Sequence, residues 1–409
     1  MARTQLTPAA DSTWTGYSLS ERDRRWNAAR EAGARAGFGC ILIPPSAAPR
    51  NLRPSSANAR GNRADCRYFT QMEDAVFILP TDGRAPTVVT DRGVGNAWFT
   101  DSRPANRDWT AATAEALLAA GMERARIGVT GLIGGKVTHV RAYGGVAIHG
   151  PLDEAIRRLP DATFEDATDT IGLLRYVKSS EEISCLRRAT AIAEVGIDEM
   201  IENARPGVDE AVLYARVTRA MLELGSENYH WALKTGPLDG AGDRFTEPPI
   251  GRRLQPNSLI TNEVTAIWGG MVAQEVQPII LGPIPDEWKR LADIQREFFE
   301  EGLRRMKPGT PFGDLIDFGA KFGESRGVQT IFSMHGRGTG NDGPLLTSRA
   351  KGEKVRSLLV EKGNAWVFKP SVISLDGRLD FQWGGDVVVT EKGGESLFDR
   401  APGFVSITG

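Results

Sequence analysis

The stretch VKSSEEISCLRRATAIAEVGIDEMIENARPGVDEA, residues 177–211, decides the fold. Ser179 precedes Glu182 by three positions, the spacing at which a serine caps a helix and the glutamate reaches back to the cap amide. Ile183, Leu186, Ala193, Ile197 and Met200 keep helical spacing, so a long amphipathic helix is predicted. Pro206-Gly207 ends it, and a second helix is predicted from about Asp209 to Leu224, stopped at Gly225. The same phrase returns 102 residues later, where MKPG-TPFGDL echoes ARPG-VDEAV between DEWKRLADIQREFFEEGLRRM (286–306) and TPFGDLIDFGAKFGESRG (310–327). An internal duplication of a helix pair accounts for the echo, although helix-Pro-Gly-helix is also a common join.

Strand-rich segments separate and follow the helix pairs: SLITNEVTAIWGG, VAQEVQPIILG, NAWVFKPSVIS and GDVVVTE. Two helix pairs backing a curved antiparallel sheet is the implied α+β architecture. Upstream, residues 20–36 and DWTAATAEALLAAG predict helices, while GCILIP, RYFTQ, AVFILP, PTVVT and RIGVTG predict strands. That makes residues 1–165 an α/β domain, and it carries no G-x-G-x-x-G fingerprint. The second domain is predicted over 175–409.

Composition narrows the function. A formal net charge of -2 gives no bulk attraction to nucleic acid or membrane. No signal peptide and no run of 18 apolar residues is present in the sequence, and three scattered cysteines suit a reducing compartment. A cytoplasmic protein acting on a small molecule is expected, with no nucleic-acid or membrane partner.

The second half carries Lys178-Ser179-x-Glu181-Glu182-Ile183, Pro206-Gly207-Val208-Asp209-Glu210, Gly225-Ser226-Glu227, His335-Gly336, Lys369-Pro370 and VVVTEKGGESL at 387–397. In the order and spacing of these motifs it resembles the pita-bread family of aminopeptidase P, prolidase, methionine aminopeptidase and creatinase. The first half is similar to the N-terminal domain of the aminopeptidase P and creatinase branch, which implies a homodimer. In family dimers the edge matching Arg67 and Tyr68 leans over a partner's active site, though RYFTQ reads equally as a plain strand.

The family's peptidases hold two divalent metals on two Asp, one His and two Glu. Here the matching positions are Glu263, Gln274, His335, Lys369 and Gly384. His335 is preferred over Thr339 because HGRGTGNDGP runs to Pro344 without a gap, and the same register sets Asp342 where the family often has a substrate-facing His. One carboxylate, one amide, one imidazole and an ammonium are a poor donor set for two hard cations, and the ammonium repels them. No metal and no cofactor are therefore expected.

Creatinase implies that the family can act without metal, using water attack at a C–N bond and a histidine to move protons. The stretch matching that histidine, TGPLDGAGDRFTEPP (235–249), has none, which argues against creatine hydrolysis. The expectation is a metal-independent hydrolase or lyase acting at a C–N bond of a small polar metabolite. Glu263 and His335 would share proton transfer, and Lys369 would stabilise developing negative charge. Gln274, Arg244, Arg337, Asp342, His230 and Trp383 would shape or orient the substrate, Trp383 as the floor of an aromatic pocket. Each has a plainer reading: surface arginines, a turn aspartate, a strand-end histidine, a core tryptophan. Two further readings stand beside this one: an inactive pita-bread binder, and a metal-dependent Xaa-Pro peptidase.

Overall fold

The computed structural model describes residues 16–44, 61–72, 75–91, 97–100, 102–132, 149–227, 231–238, 251–339, 342, 345–346 and 353–408. The chain divides into two compact units, Thr15–Tyr176 with Thr339–Gly343, and Val177–Gly338 with Pro344–Gly409. Among the described residues no helix is long and apolar enough to cross a membrane.

The first unit runs α1 (Leu19–Arg35), β1 (Cys40–Ile43), α2 (Gly61–Thr70), β2 (Val76–Pro80), β3 (Thr87–Val89), α3 (Trp109–Ala119), β4 (Arg126–Val129), α4 (His149–Arg158), β5 (Thr163–Asp166) and α5 (Thr168–Gly172). Its sheet has the order β3-β2-β1-β4-β5, with β1, β4 and β5 parallel and the other pairs antiparallel. The apolar runs of β1 and β2 are buried throughout because both sheet faces are covered. Leu42, Ile78 and Val129 pack toward Leu117 and Leu152 on one side, and Ile41, Ile43 and Phe77 pack with Trp26 and Phe69 on the other.

One predicted strand is a helix: RYFT belongs to α2. Tyr and Phe favour strands only weakly, and tertiary burial overrides that preference. Tyr68 and Phe69 are fully buried, Thr70 Oγ1 donates to the Cys66 carbonyl one turn back at 2.6 Å, and Gln71 closes the helix at a left-handed φ of 59°. Tyr68 is a core residue of this unit.

The second unit continues α6 (Ser180–Asn203), α7 (Glu210–Glu223), β6 (Ala232–Pro237), β7 (Ser258–Trp268), β8 (Met271–Glu275), β9 (Ile279–Ile280), α8 (Asp286–Arg305), α9 (Phe312–Lys321), β10 (Val328–Ile331), β11 (Met334–Gly336), β12 (Leu345–Leu346), α10 (Glu353–Arg356), β13 (Ala365–Phe368), β14 (Ser371–Ser374), β15 (Asp380–Gln382), β16 (Gly385–Thr390), β17 (Gly393–Ser396) and β18 (Val405–Ser406). The capping box forms as the sequence predicts, with both Ser179 and Glu182 side chains on each other's amides. One sheet has the order β18-β9-β7-β6 with β8 on β7, a second runs β12-β11-β13-β16-β17, and a third runs β10-β14-β15. Helix α6 backs β7 and β8, while α8 backs β14, β15 and β17.

The duplication is visible in backbone hydrogen bonds. Gly207 and Gly309 adopt φ of 89° and 88°, a left-handed turn that glycine enters without steric cost. The Gly207 amide donates to Leu254 O, and the Gly309 amide donates to Val360 O, each at 2.8 Å. Glu210 N to Arg252 O and Phe312 N to Leu358 O repeat the next bond, and the bridges Asp209–Arg253 and Pro311–Leu359 lie between them. Leu254 and Val360 stand 106 residues apart in the two copies, and so do Glu263 and Lys369.

Candidate active site

Strand β7 buries Ile260 and Val264 against the helix-facing core, so the alternate residues Leu259, Thr261 and Glu263 face the other way. Glu263 keeps 21% of its side chain exposed, while Lys369, one residue past β13, keeps 7%. The Lys369 ammonium donates to Glu263 Oε1, and to Gln274 Oε1 at 3.0 Å. Gln274 lies on β8 opposite Thr265, and its Nε2 is 3.4 Å from both Glu263 Oε2 and Thr265 Oγ1. Ammonium, carboxylate and amide thus form one network joining equivalent strands of the two repeats. The Lys369 amide is anchored on Ser333 O at 2.9 Å, which sets where the side chain starts.

His335 sits on β11 between Leu345 and Val367, 8% exposed, with Nδ1 3.4 Å from Gly336 O. Val367 is in turn opposite Asp386 on β16, so His335, Val367 and Asp386 stand abreast on one face, with Lys369 next along it. Asp386 was not singled out from the sequence. It is fully buried, and its Oδ2 accepts from the Gln274 amide at 2.9 Å and from Thr190 Oγ1 at 3.3 Å. Burial pushes its carboxyl up to about 7, against the opposing pull of Arg337, the Gln274 amide, Thr190 and Lys369. The available signal was a lone carboxylate inside the apolar run GDVVVT, a pattern that asks for a buried partner.

Two glycines shape the junction between the sheets. Gly384 adopts φ 144° and bridges Val276 across the seam. A Cβ there would overlap the Phe368 carbonyl oxygen and sit 3.0 Å from Lys369 Cα. At Gly385 a Cβ would sit 2.8 Å from Glu275 Cγ. The glycine pair lets β16 close onto β13 and β8, and a glutamate at 384 does not fit this backbone. Beneath it Glu275 is buried, its carboxyl pushed well above the usual range by burial and by neighbouring Glu194 and Asp386.

Glu263, Gln274, His335, Lys369 and Gly384, which the sequence reading matches to the family's metal ligands, do not suit a pair of divalent cations. The ammonium already takes Glu263 and Gln274, and position 384 has no room for a side chain. Hard cations require several anionic oxygens. Among the described residues no group of three or more His, Cys, Asp or Glu is placed to hold a metal ion.

The remaining predicted residues fall as follows. Arg337 is 2% exposed, and its charge acts on Asp386. Asp342 belongs with the first unit, where its Oδ1 accepts from Arg175 Nε at 2.9 Å while Arg175 also pairs with Asp65. All three are buried, so Asp342 is committed to an ion pair where the sequence reading gave it a substrate. Trp383 corrects the expected aromatic floor: its ring packs on Phe299 and Phe398 at 5.0 and 5.4 Å, and Nε1 donates to Gln277 at 3.3 Å. Facing α8 rather than Glu263, it is a core residue. Arg244 and His230 lie outside the described residues.

Duplicated helix pairs on paired antiparallel sheets, with candidate polar residues where the sheets meet, define a pita-bread protein. Residues 184–391 match the model of metallopeptidase family M24, and the chain belongs to that family. X-Pro aminopeptidase of Thermotoga maritima superposes with a TM-score of 0.72 at 16% identity, covering 93% of this chain and 99% of that one. An uncharacterized hydrolase/peptidase of Sinorhizobium fredii, y4tM, is 32% identical over 165 residues, 39% of this chain and 41% of that protein. Ectoine hydrolase of Halomonas elongata is 25% identical over 268 residues, 60% of this chain and 63% of that protein. The matches thus span less than two thirds of these curated relatives' own length.

Proposed function

We propose that this chain is a metal-independent hydrolase or lyase that acts at a C–N bond of a small polar metabolite. The observation that carries the reading is the Lys369 ammonium, held by Glu263 and Gln274; the resemblance matches these three positions to ligands of the family's metals. A side-chain cation offers three N–H donors and fixed charge without a bound ion. In this reading Lys369 turns one donor toward the oxygen or nitrogen that gains negative charge as the C–N bond is attacked, an effect of about 10²–10³ in rate for comparable donors. Glu263, the more exposed partner, takes the proton of the attacking water, and His335 returns one to the leaving nitrogen. For elimination, Glu263 takes a carbon-bound proton and His335 serves the same leaving group. The likeness to a hydrolase named for ectoine supports a non-peptide substrate. A homodimer in the cytoplasm completes the proposal, and light scattering of the purified chain checks the first part.

A second reading has its own observation. Lys369, Glu263 and Gln274 satisfy one another, as a structural plug in a binding protein would. The test is a screen of ectoine, amidines, cyclic ureas and N-acyl amino acids against chelator-treated protein, with products read by mass spectrometry. Turnover that survives chelation and falls at least about 100-fold in Glu263→Gln and His335→Ala is expected. Turnover only after manganese, zinc or cobalt is added sinks the proposal. Binding without turnover in the wild type selects the plug.

A further inference from the structure

We infer that the candidate site continues along β7 into an apolar subsite that takes an uncharged alkyl or aryl arm of the substrate. The inference rests on the proposed cleft at Glu263 and names the class of molecule it accepts.

Glu263, Thr261 and Leu259 are alternate residues on one face of β7, all half-buried, while Ile260 and Asn262 between them are buried. Beside Thr261 and Leu259 opens a recess of about 50 Å³, or about 430 Å³ when the open solvent at its mouth is counted. Its walls are Val276 from the segment after β8, Trp288 from the first turn of α8, Phe381 from β15 and Phe404 from the C-terminal segment. The aromatic rings hold one another: Trp288 meets Phe404 edge-on at 5.5 Å, and Phe381 meets Phe404 at 4.5 Å. Trp288 Nε1 donates to Leu238 O at 3.1 Å, so the indole's polar atom is satisfied and its ring offers apolar surface. Gln382, also in the wall, donates from Nε2 to Lys369 O at 3.1 Å and to Ser371 Oγ at 3.2 Å. The recess is therefore tied to the backbone that carries Lys369.

Strand geometry sets the reach. At about 3.3 Å per residue, Thr261 lies about 7 Å and Leu259 about 13 Å along the strand from Glu263. At about 1.3 Å of advance per bond, an arm of five to seven bonds from the reacting C–N bond reaches Thr261 and the near end of the recess, so an amide or amidine with a butyl or phenylpropyl arm enters it where a bare amide leaves it to water. Asp380 also lines the recess. A ligand whose arm ends in an ammonium therefore measures the competing possibility that charge, not apolar area, governs the subsite.

The probes are acetamide, 4-phenylbutanamide and 4-aminobutanamide, titrated calorimetrically into the wild-type chain and into Leu259→Trp, which fills the recess from a half-buried position. We expect 4-phenylbutanamide to bind roughly tenfold or more tighter than acetamide. Leu259→Trp should abolish that advantage, weakening 4-phenylbutanamide far more than acetamide in a variant whose cooperative thermal melt shows that it folds. Phe404→Ala, trimming the opposite wall, should lower the advantage without filling the site. No preference for the phenyl arm, no binding by any probe, stronger binding of the ammonium arm, or an advantage that survives Leu259→Trp overturns the inference. Turnover plays no part in the titration. A chain that prefers the phenyl arm yet cleaves nothing sinks the hydrolase reading alone, whereas one that cleaves small amides without regard to the arm sinks the subsite alone.

Discussion

Replacing Lys369 by methionine tests the electrostatics of the site directly. The substitution keeps the length of the side chain and removes its charge and three donors. Glu263 is left with one-fifth of its side chain in water, and Gln274 Oε1 loses its 3.0 Å partner. Breaking a buried pair by removing one partner costs about 3–5 kcal/mol, because the remaining charge is desolvated without compensation. Water reaches Glu263 in part, so the lower end, about 3 kcal/mol, is expected. For a unit of this size that corresponds to a fall in melting temperature of about 6–12 °C. Adding Glu263→Gln to Lys369→Met removes the stranded charge. Since a buried pair contributes little net stability over neutral replacements, the double variant should return to within about 1 kcal/mol of the wild type. Calorimetric scans of the wild type, both single variants and the double variant close the cycle, which isolates the coupling between the two residues. A Lys369→Met protein that melts with the wild type, or a double variant as unstable as the sum of the singles, would refute the claim that this ammonium compensates that carboxylate.

Other outcomes follow from the same geometry. Lys369→Glu with Gln274→Asp places three carboxylates at the junction, and manganese affinity by calorimetry should rise over the wild type; tighter binding by the wild type would contradict the donor-set argument. Gly384→Ala should be strongly destabilising, since its Cβ overlaps the Phe368 carbonyl and its φ of 144° is strained for any L side chain; an unchanged denaturation midpoint would show that the seam is soft. The Asp386 carboxyl is raised from 3.8 to about 7 by burial, so the folded chain holds this proton more tightly than the unfolded one. Its contribution is full below pH 4 and lost as pH rises through about 7, so Asp386→Asn should flatten the fall in stability over pH 4 to 7 and gain most above pH 7. Equal slopes in the two proteins would count against it. Arg175→Met, which removes the cation shared by two buried carboxylates, should destabilise more than Asp342→Asn, which leaves Arg175 its pair with Asp65; thermal melts in the reverse order would contradict the ion-pair assignment.

The fold was largely legible. Capping, helical spacing and the repeated Pro-Gly joins are local signals, and each formed where its residues predicted. The failure at RYFT was also local: strand-favouring aromatics entered a helix because burial on several sides outweighed propensity. The pairing of Glu263 with Lys369 was readable because residues of opposite charge fall on two positions that the resemblance matches to ligands. Asp342, Trp383 and Asp386 were harder, since the orientation of one side chain depends on distant partners: Arg175, Phe299 and the Gln274 amide.

The sequence alone determined which helices start and stop where, and it offered the repeated helix-Pro-Gly-helix phrase and the expected match of Glu263, Gln274 and Lys369 to the family's ligand positions. These follow from hydrogen bonds and periodicities within a few residues, or from residue identity. Tertiary structure decided which buried groups share a face, why position 384 admits only glycine, and where the surface beside Glu263 becomes apolar. Those are properties of strands brought together from sixteen to more than a hundred residues apart, and packing distance, not sequence distance, sets their energies.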